Sequence, residues 1–243
     1  MLRPLVVAAL LVLAGCTGLV PDGETRTESP VTAAPVPGVS ASDVPVPTRN
    51  GTVDRDRLVE RHGAALANRS FSRHVQRAGP QNTRDVWVDR ERGVVRVRQR
   101  FGPLTDDAIV ADGTRYRLVS DDPGIDYRTE PSNGTLPYVP SLAGTGRLDQ
   151  VLAEEGYHRV DTVRRDGRAV AIVAVNATGR GSGADPSVAI QSRLYVDADG
   201  VIRTVDHWER RPDGTVVEFR LVVVTGIDRV PIPWWAEDIG IYG

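Results

Sequence analysis

The sequence predicts an α+β fold: one curved antiparallel β-sheet, a half-barrel, with two helices covering its concave face. Three observations point there. From Phe71 onward apolar residues recur with period two, turn signals arrive at strand-length intervals, and only two stretches carry helical spacing. An antiparallel sheet packed on one face and solvated on the other alternates in this way. Helices gathered on one side of such a sheet complete a two-layer domain.

The chain opens on a secretory signal peptide, residues 1–15. Arg3 supplies the positive start, Leu5 to Leu13 the apolar run, and Leu13-Ala14-Gly15 the small-residue cleavage site. The run is too short to span a bilayer, which needs ~20 apolar residues. Leu13-Ala14-Gly15-Cys16 resembles the lipobox of prokaryotic lipoproteins, which implies cleavage before Cys16 and lipid attachment to its thiol. Cys16 is the only cysteine, and an unpaired exported thiol would otherwise be a liability. The expected location is therefore the cell membrane, lipid-anchored, on the extracytoplasmic face.

Residues 16–52 form the expected tether, with prolines at 21, 30, 35, 37, 45 and 47 and scarcely a large apolar side chain. Such a stretch builds no core, and extended it covers up to ~3.1 Å per residue. Residues 53–243 are long enough for one domain with a real core. With 30 basic and 32 acidic residues the charge is near balance, which argues against nucleic acid as a partner. Every basic residue is Arg, so Schiff-base chemistry on lysine is absent.

Asp54 to Asn68 reads as an amphipathic helix, with Leu58, His62, Ala65 and Leu66 on one face and Asp54 or Thr52 as cap. Arg61-His62-Gly63 matches a triplet found in histidine phosphatases, where the histidine ends a strand; here, mid-helix on the apolar face, His62 reads as a packing residue. Strands are expected at Asp85 to Asp89, Val94 to Phe101, Ile109 to Val110, Tyr116 to Ser120, Arg159 to Arg164, Arg168 to Asn176, Val188 to Val196, Val201 to Arg210 and Val216 to Val224. In Val95 to Phe101, Val95, Val97 and Phe101 face one way and Arg96, Arg98 and Arg100 the other, which reads as a solvated row rather than an anion site. Pro131 to Gly144 is a proline and glycine loop. Arg147 to Glu155 is the second helix, stopped by Gly156. Val230 to Trp235 is a proline-stiffened strap whose two tryptophans close the core.

Chemistry-bearing motifs are sparse. Asp197 and Asp199 before Gly200 resemble a fragment of a calcium loop, but no Glu closes it, and the tetrad suits a hairpin turn. His62, His74, His158 and His207 stand singly, and neither G-x-S-x-G nor H-E-x-x-H occurs. The expectation is a non-enzyme with no catalytic, cofactor-binding or metal residues and no cofactor. Asn50, Asn68, Asn133 and Asn176 each begin an N-x-[ST] acceptor, so glycosylation is expected at some of them, most readily at Asn50 and Asn133.

On the inner face two local signals disagree. Alternation puts Trp208 with Ile202, Thr204 and Asp206, and Phe219 with Val217, Leu221 and Val223. Arg211-Pro212-Asp213-Gly214 suits a three-residue loop, which sets Trp208 opposite Glu218 and Asp206 opposite Arg220. An exposed pair contributes ~0.2 to 1 kcal/mol, whereas burying a large apolar side chain contributes ~1.5 to 3 kcal/mol. Burial is therefore expected to win, placing Trp208 and Phe219 on the core face with Leu194 and Val196. Leu194, Val196, Trp208, Phe219 and Leu221 are the expected lining of a ligand site.

With these residues in place, the chain resembles a family of haloarchaeal lipoproteins of unknown function. The resemblance rests on the lipobox at Cys16, the tether, Leu58 with His62, Ala65 and Leu66, Leu148 to Leu152, Tyr195-Val196-Asp197 with Gly200 and Ile202-Arg203, and Pro233 with Trp235. The layout is similar to the lipoprotein-carrier half-barrels of the LolA and LppX kind, which bind acyl chains. That resemblance implies an archaeal envelope protein carrying a lipid-like ligand between sheet and helices. The alternative is a non-catalytic envelope structural or protein-interaction module with a filled core; the sequence names no protein partner.

Overall fold

The computed structural model describes residues 44–79, 81–121, 124–131, 139–153, 156–178 and 189–242. Cys16, most of the tether and Asn133 lie outside them. Eleven strands form one open antiparallel sheet: β3 (Phe71–Arg77), β4 (Asn82–Asp89), β5 (Val94–Phe101), β6 (Leu104–Ala111), β7 (Thr114–Asp121), β8 (Gly124–Pro131), β9 (His158–Arg165), β10 (Arg168–Thr178), β11 (Ala189–Asp197), β12 (Ile202–Arg210) and β13 (Val216–Thr225). A separate two-stranded ribbon pairs β1 (Thr48–Arg49) with β2 (Thr52–Val53). The spatial order is β8-β7-β6-β5-β4-β3-β13-β12-β11-β10-β9, so two runs of hairpins meet where β13 pairs with β3, Leu221 opposite Val75.

The turn residues set this meander. Asp112-Gly113 and Asp166-Gly167 occupy two-residue loops with both φ positive, the geometry that matches strand twist. Phe101 pairs with Leu104 across Gly102-Pro103, so β6 begins five residues earlier than the expected Ile109. β3 and β8 also lie outside the expected strands.

Among the described residues three α-helices, where two were expected, cover one face, here the helix face. α1 (Arg55–Ala67) begins at Asp54, whose carboxylate accepts from the Arg57 N–H at 3.3 Å. α2 (Val139–Ala143) lies inside the stretch expected to be loop, and α3 (Thr145–Val151) is shorter than its expected span. Pro140 near the start of a one-turn helix hides α2 from any periodicity argument. Leu58, Leu66, Leu142, Leu148 and Leu152 from this layer meet Phe71, Val86, Leu194, Val196, Phe219 and Leu221 from the sheet in one core.

The back face carries a second, smaller core. Val94, Ile109 and Ala111 pack there with Val230 and Ala236, joined by Trp87, Tyr116 and Trp235. The C-terminal strap therefore covers the back of β4–β7 and ends in a 3-10 helix, Trp234–Ile239. This corrects the reading of the arginine row as solvated at Arg96, which is buried, and at Arg98, which is partly so, while Arg100 is exposed as expected. Arg96 is 6 % exposed, holds Asp107 through two bonds of 2.9 and 2.7 Å, and donates to the Pro231 carbonyl. Trp235 Nε1 donates to the same carboxylate at 3.2 Å. Arg98 in turn holds Asp85, and Arg96 and Arg98 both stack on Trp87. Phe101, expected on the packed side, is exposed instead.

A second correction concerns register. β12 and β13 pair with Trp208 opposite Glu218 and Phe219 opposite His207, so Trp208 and Phe219 lie on opposite faces. Arg211 N–H donates to the Thr215 carbonyl and Gly214 has φ +81, the three-residue loop with a glycine bulge. Turn geometry won over the burial of one tryptophan, because His207, 8 % exposed, fills the helix-face position that Trp208 vacates.

Candidate functional site

Of the five residues expected to line a ligand site, Leu194, Val196, Phe219 and Leu221 come together on the helix face, each at most 2 % exposed. They are packed against leucines of the helix layer. His62 stitches that layer to the sheet. Its Nε2 donates to the Ala143 carbonyl at 3.3 Å, and its Nδ1 accepts from the Ile202 N–H at 3.1 Å. One side chain thus joins α1, the end of α2 and the start of β12. Both ring nitrogens are used only when the imidazole is neutral, and burial accordingly lowers its pKa to about 4. His62 is a packed helix histidine.

Trp208 belongs elsewhere. On the back face of β10–β13 side chains form rows across the strands: Asn176, Gln191, Trp208 and Glu218, then Ala174, Arg193, Asp206 and Arg220. These rows line an open groove of about 660 Å³ that also takes Tyr195. A second depression of about 350 Å³ shares Tyr195 and continues over Thr204, Val222 and Val224. Neither takes a lining residue from α1, α2 or α3.

Each groove aromatic is flanked by a guanidinium, Arg210 at 5.4 Å from the Trp208 ring and Arg165 at 4.2 Å from Tyr195. Asp206 and Arg220 lie 3.5 Å apart, both more than half exposed, so their attraction is largely screened by solvent. The groove can therefore stack planar or apolar groups on two rings and offer hydrogen bonds and both signs of charge. Gln191 and Arg193 were not singled out from sequence, and Tyr195 and Arg220 were named there for a resemblance and for a strand register rather than as site residues. With the turn-derived register, the parity of β11 and β13 places them beside Trp208.

The expected calcium fragment is a turn. Asp197 Oδ1 accepts from the Val201 N–H at 2.9 Å, its Oδ2 holds Arg203, and Asp199 pairs with Arg69 at 2.6 Å. Among the described residues no three His, Cys, Asp or Glu side chains come together as a metal site. Asn50, Asn68 and Asn176 are exposed, Asn176 at the groove rim. Among the described residues no helix is long and apolar enough to cross a membrane.

No protein-family model matches the chain, and no curated protein does. Solved structures do. A chain of the Pseudomonas aeruginosa MucA/MucB complex matches at 18 % identity and TM-score 0.35, over 73 % of this chain and 59 % of that one. The Mycobacterium tuberculosis lipoprotein LppX matches at 11 % identity and TM-score 0.37, over 74 % of this chain and 98 % of that one. LprF from Mycobacterium bovis matches at 12 % identity and TM-score 0.40, over 74 % and 96 %. This chain thus spans about three fifths of the MucA/MucB match and nearly all of the two mycobacterial proteins.

Proposed function

We propose that this protein is a non-catalytic binding module, held at the extracytoplasmic face of the cell membrane by a lipid on Cys16, which docks a protein partner in the back-face groove of β10–β13. The observation that carries the reading is the division of labour between the two faces. On the helix face the space where an acyl chain would lie is filled by side chains. Prising the helix layer away would expose Leu58, Leu66, Leu142, Leu148 and Leu152. At ~1.5 to 3 kcal/mol each, that approaches the ~5 to 15 kcal/mol that holds a whole domain folded. That packing supports a structural role for the helix face, and carriage of a lipid between sheet and helices is the alternative reading.

The groove has the composition of a protein-docking surface. Trp, Tyr and Arg are the side chains enriched at such interfaces and at their energetic centres, and Trp208, Tyr195, Arg193 and Arg220 stand together here. Both signs of charge, from Asp206, Glu218 and the arginines, suit a polypeptide better than a uniformly charged polymer.

The test is site-specific photo-crosslinking in the host envelope. A photoreactive residue at Arg193 should give a discrete protein adduct that Trp208→Ala abolishes, while one at the exposed Asp56 on α1 gives none. Adducts of equal yield from both positions, or none from Arg193, would overturn the reading.

A further inference from the structure

Four arginines from β3, β4 and α3 lie close enough on the helix face for their charges to act on one another. Arg73 and Arg77 lie on β3 either side of Val75, and Arg84 on β4 pairs opposite Val75, within ~7 to 8 Å of both by strand geometry. Arg147 on α3 stacks over the Phe219 ring at 5.3 Å, and Phe219 is the register partner of Arg77. Among the described residues none of the four makes an ion pair with a carboxylate. The acidic group whose charge reaches Arg147 is Glu209, already engaged by Arg211 at 3.3 Å and close to His207 at 3.8 Å.

Arg77 is exposed, but the other three are withdrawn from water to differing degrees, Arg84 and Arg147 partly and Arg73 almost wholly. Arg73 is 4 % exposed. Its Nη1 reaches one carbonyl, that of Ser141, at 3.3 Å. The Nε groups of Arg73, Arg84 and Arg147 are buried with no hydrogen-bond acceptor. Burying a charged donor unpaired is strongly unfavourable, and buried polar groups are normally satisfied. Mutual repulsion adds to it: burial first, then the neighbouring charges of Arg84 and Arg77, lower the Arg73 pKa to about 10, so it still carries its proton at neutral pH. The chain also passes close to this group. A Cβ at Gly144, which has φ +83, would overlap the Arg73 guanidinium. Beside the cluster Arg77, Arg84, Asn82 and Gln99 line a depression of about 80 Å³, room for about two or three waters or one small anion.

We infer that Arg73, Arg77, Arg84 and Arg147 form a binding site for a tetrahedral oxyanion of the phosphate or sulfate class. The anion sits in the depression lined by Arg77 and Arg84 and accepts from their guanidinium groups, with the Asn82 and Gln99 amides beside it. Arg147, whose Nη1 already donates to Gln150 at 2.6 Å, and the buried Arg73 add positive charge, and the anion supplies the negative charge the cluster lacks. Guanidinium forks match such oxygens in pairs. This site lies on the opposite face from the groove and does not depend on the groove's occupant.

The experiment titrates the full chain carrying Cys16→Ser, which removes the anchor, with inorganic phosphate and sulfate by calorimetry, sodium chloride serving as control. Saturable one-to-one binding is expected, weakened at least tenfold in the Arg77→Gln/Arg84→Gln variant, whose positions are not fully buried, and unchanged by Arg100→Gln on the back face. Sedimentation with phosphatidylcholine vesicles, with and without phosphatidic acid, separates the sources. Arginine-dependent binding only to the phosphatidic acid vesicles assigns the site to a lipid phosphate, whereas free phosphate binding without vesicle binding assigns it to a soluble one. No saturable binding of either anion, or binding that survives the double substitution, overturns the inference.

Discussion

Acid should weaken this fold through His62, in a pH window where carboxylates contribute little. Folded, the imidazole is neutral, its Nε2 donating to Ala143 and its Nδ1 accepting from Ile202. Its pKa falls from 6.5 to about 4, chiefly through burial. Because the folded value is depressed, the stability contribution is complete above pH 6.5 and is lost as pH falls towards 4, where the unfolded chain takes up a proton that the folded chain refuses. Each pH unit in that window costs about 1.4 kcal/mol, so on the order of 2 kcal/mol is gone at pH 5 and 3 kcal/mol at pH 4. Asp106, Asp199 and Asp213, whose pKa values are lowered by hydrogen bonds from Arg117, Arg69 and Thr215, act only below their ordinary 3.8. Burial lowers His207 in the same sense, so a paired variant is needed. His62→Leu removes the titration but leaves the Ile202 N–H and Ala143 carbonyl unpaired, costing roughly 2 to 5 kcal/mol at pH 7.5. Urea unfolding at pH 7.5, 6.5, 5.5 and 5.0 should show the gap between the two proteins closing by about 2 kcal/mol as pH falls. Parallel curves would refute the reasoning.

Three further outcomes follow from the packing. Asp107→Ala strands a buried guanidinium and frees Trp235, so it should cost about 3 to 5 kcal/mol and render the C-terminal strap sensitive to limited proteolysis; a loss under about 1 kcal/mol would mean that the strap is held otherwise. Phe219→Ala should cost about 3 to 5 kcal/mol, but Trp208→Ala less than about 1.5 kcal/mol, since only part of its ring surface is withdrawn from water. Equal losses in thermal denaturation would contradict the register. Cys16→Ser should move the protein from the membrane to the soluble fraction, and a variant that stays with the membrane counts against the anchor.

The sheet was legible because its information is local. Period-two alternation and Asp-Gly turns at 112–113 and 166–167 act between neighbouring residues, and a meander needs little else. The helix at Arg55–Ala67 was legible for the same reason, through Asp54 and the Leu58, His62, Leu66 stripe. What failed depended on distant partners. Arg96 reads as solvated until the strap arrives from about 135 residues away to cover it. At the β12–β13 hairpin the burial argument treated tryptophan as all or none, yet a large amphipathic ring can lie half-buried beside Arg210, and Gly214 had already fixed the register. The groove followed that error, since its residues share the face assigned to solvent. The arginine cluster was invisible because Arg73, Arg84 and Arg147 come from three elements, and nothing in their spacing marks them as neighbours.

The most direct test of the central claim, that the interior is filled and ligands meet the surface, is native mass spectrometry of the protein carrying Cys16→Ser, recovered from the soluble fraction without detergent. The expected mass is that of the polypeptide with any N-linked sugars and no stoichiometric non-covalent lipid. An additional apolar molecule bound one-to-one, retained by this protein and lost on enlarging the Leu194 or Leu221 side chain to Trp, would contradict the claim and return the space between sheet and helices to a carrier's cavity.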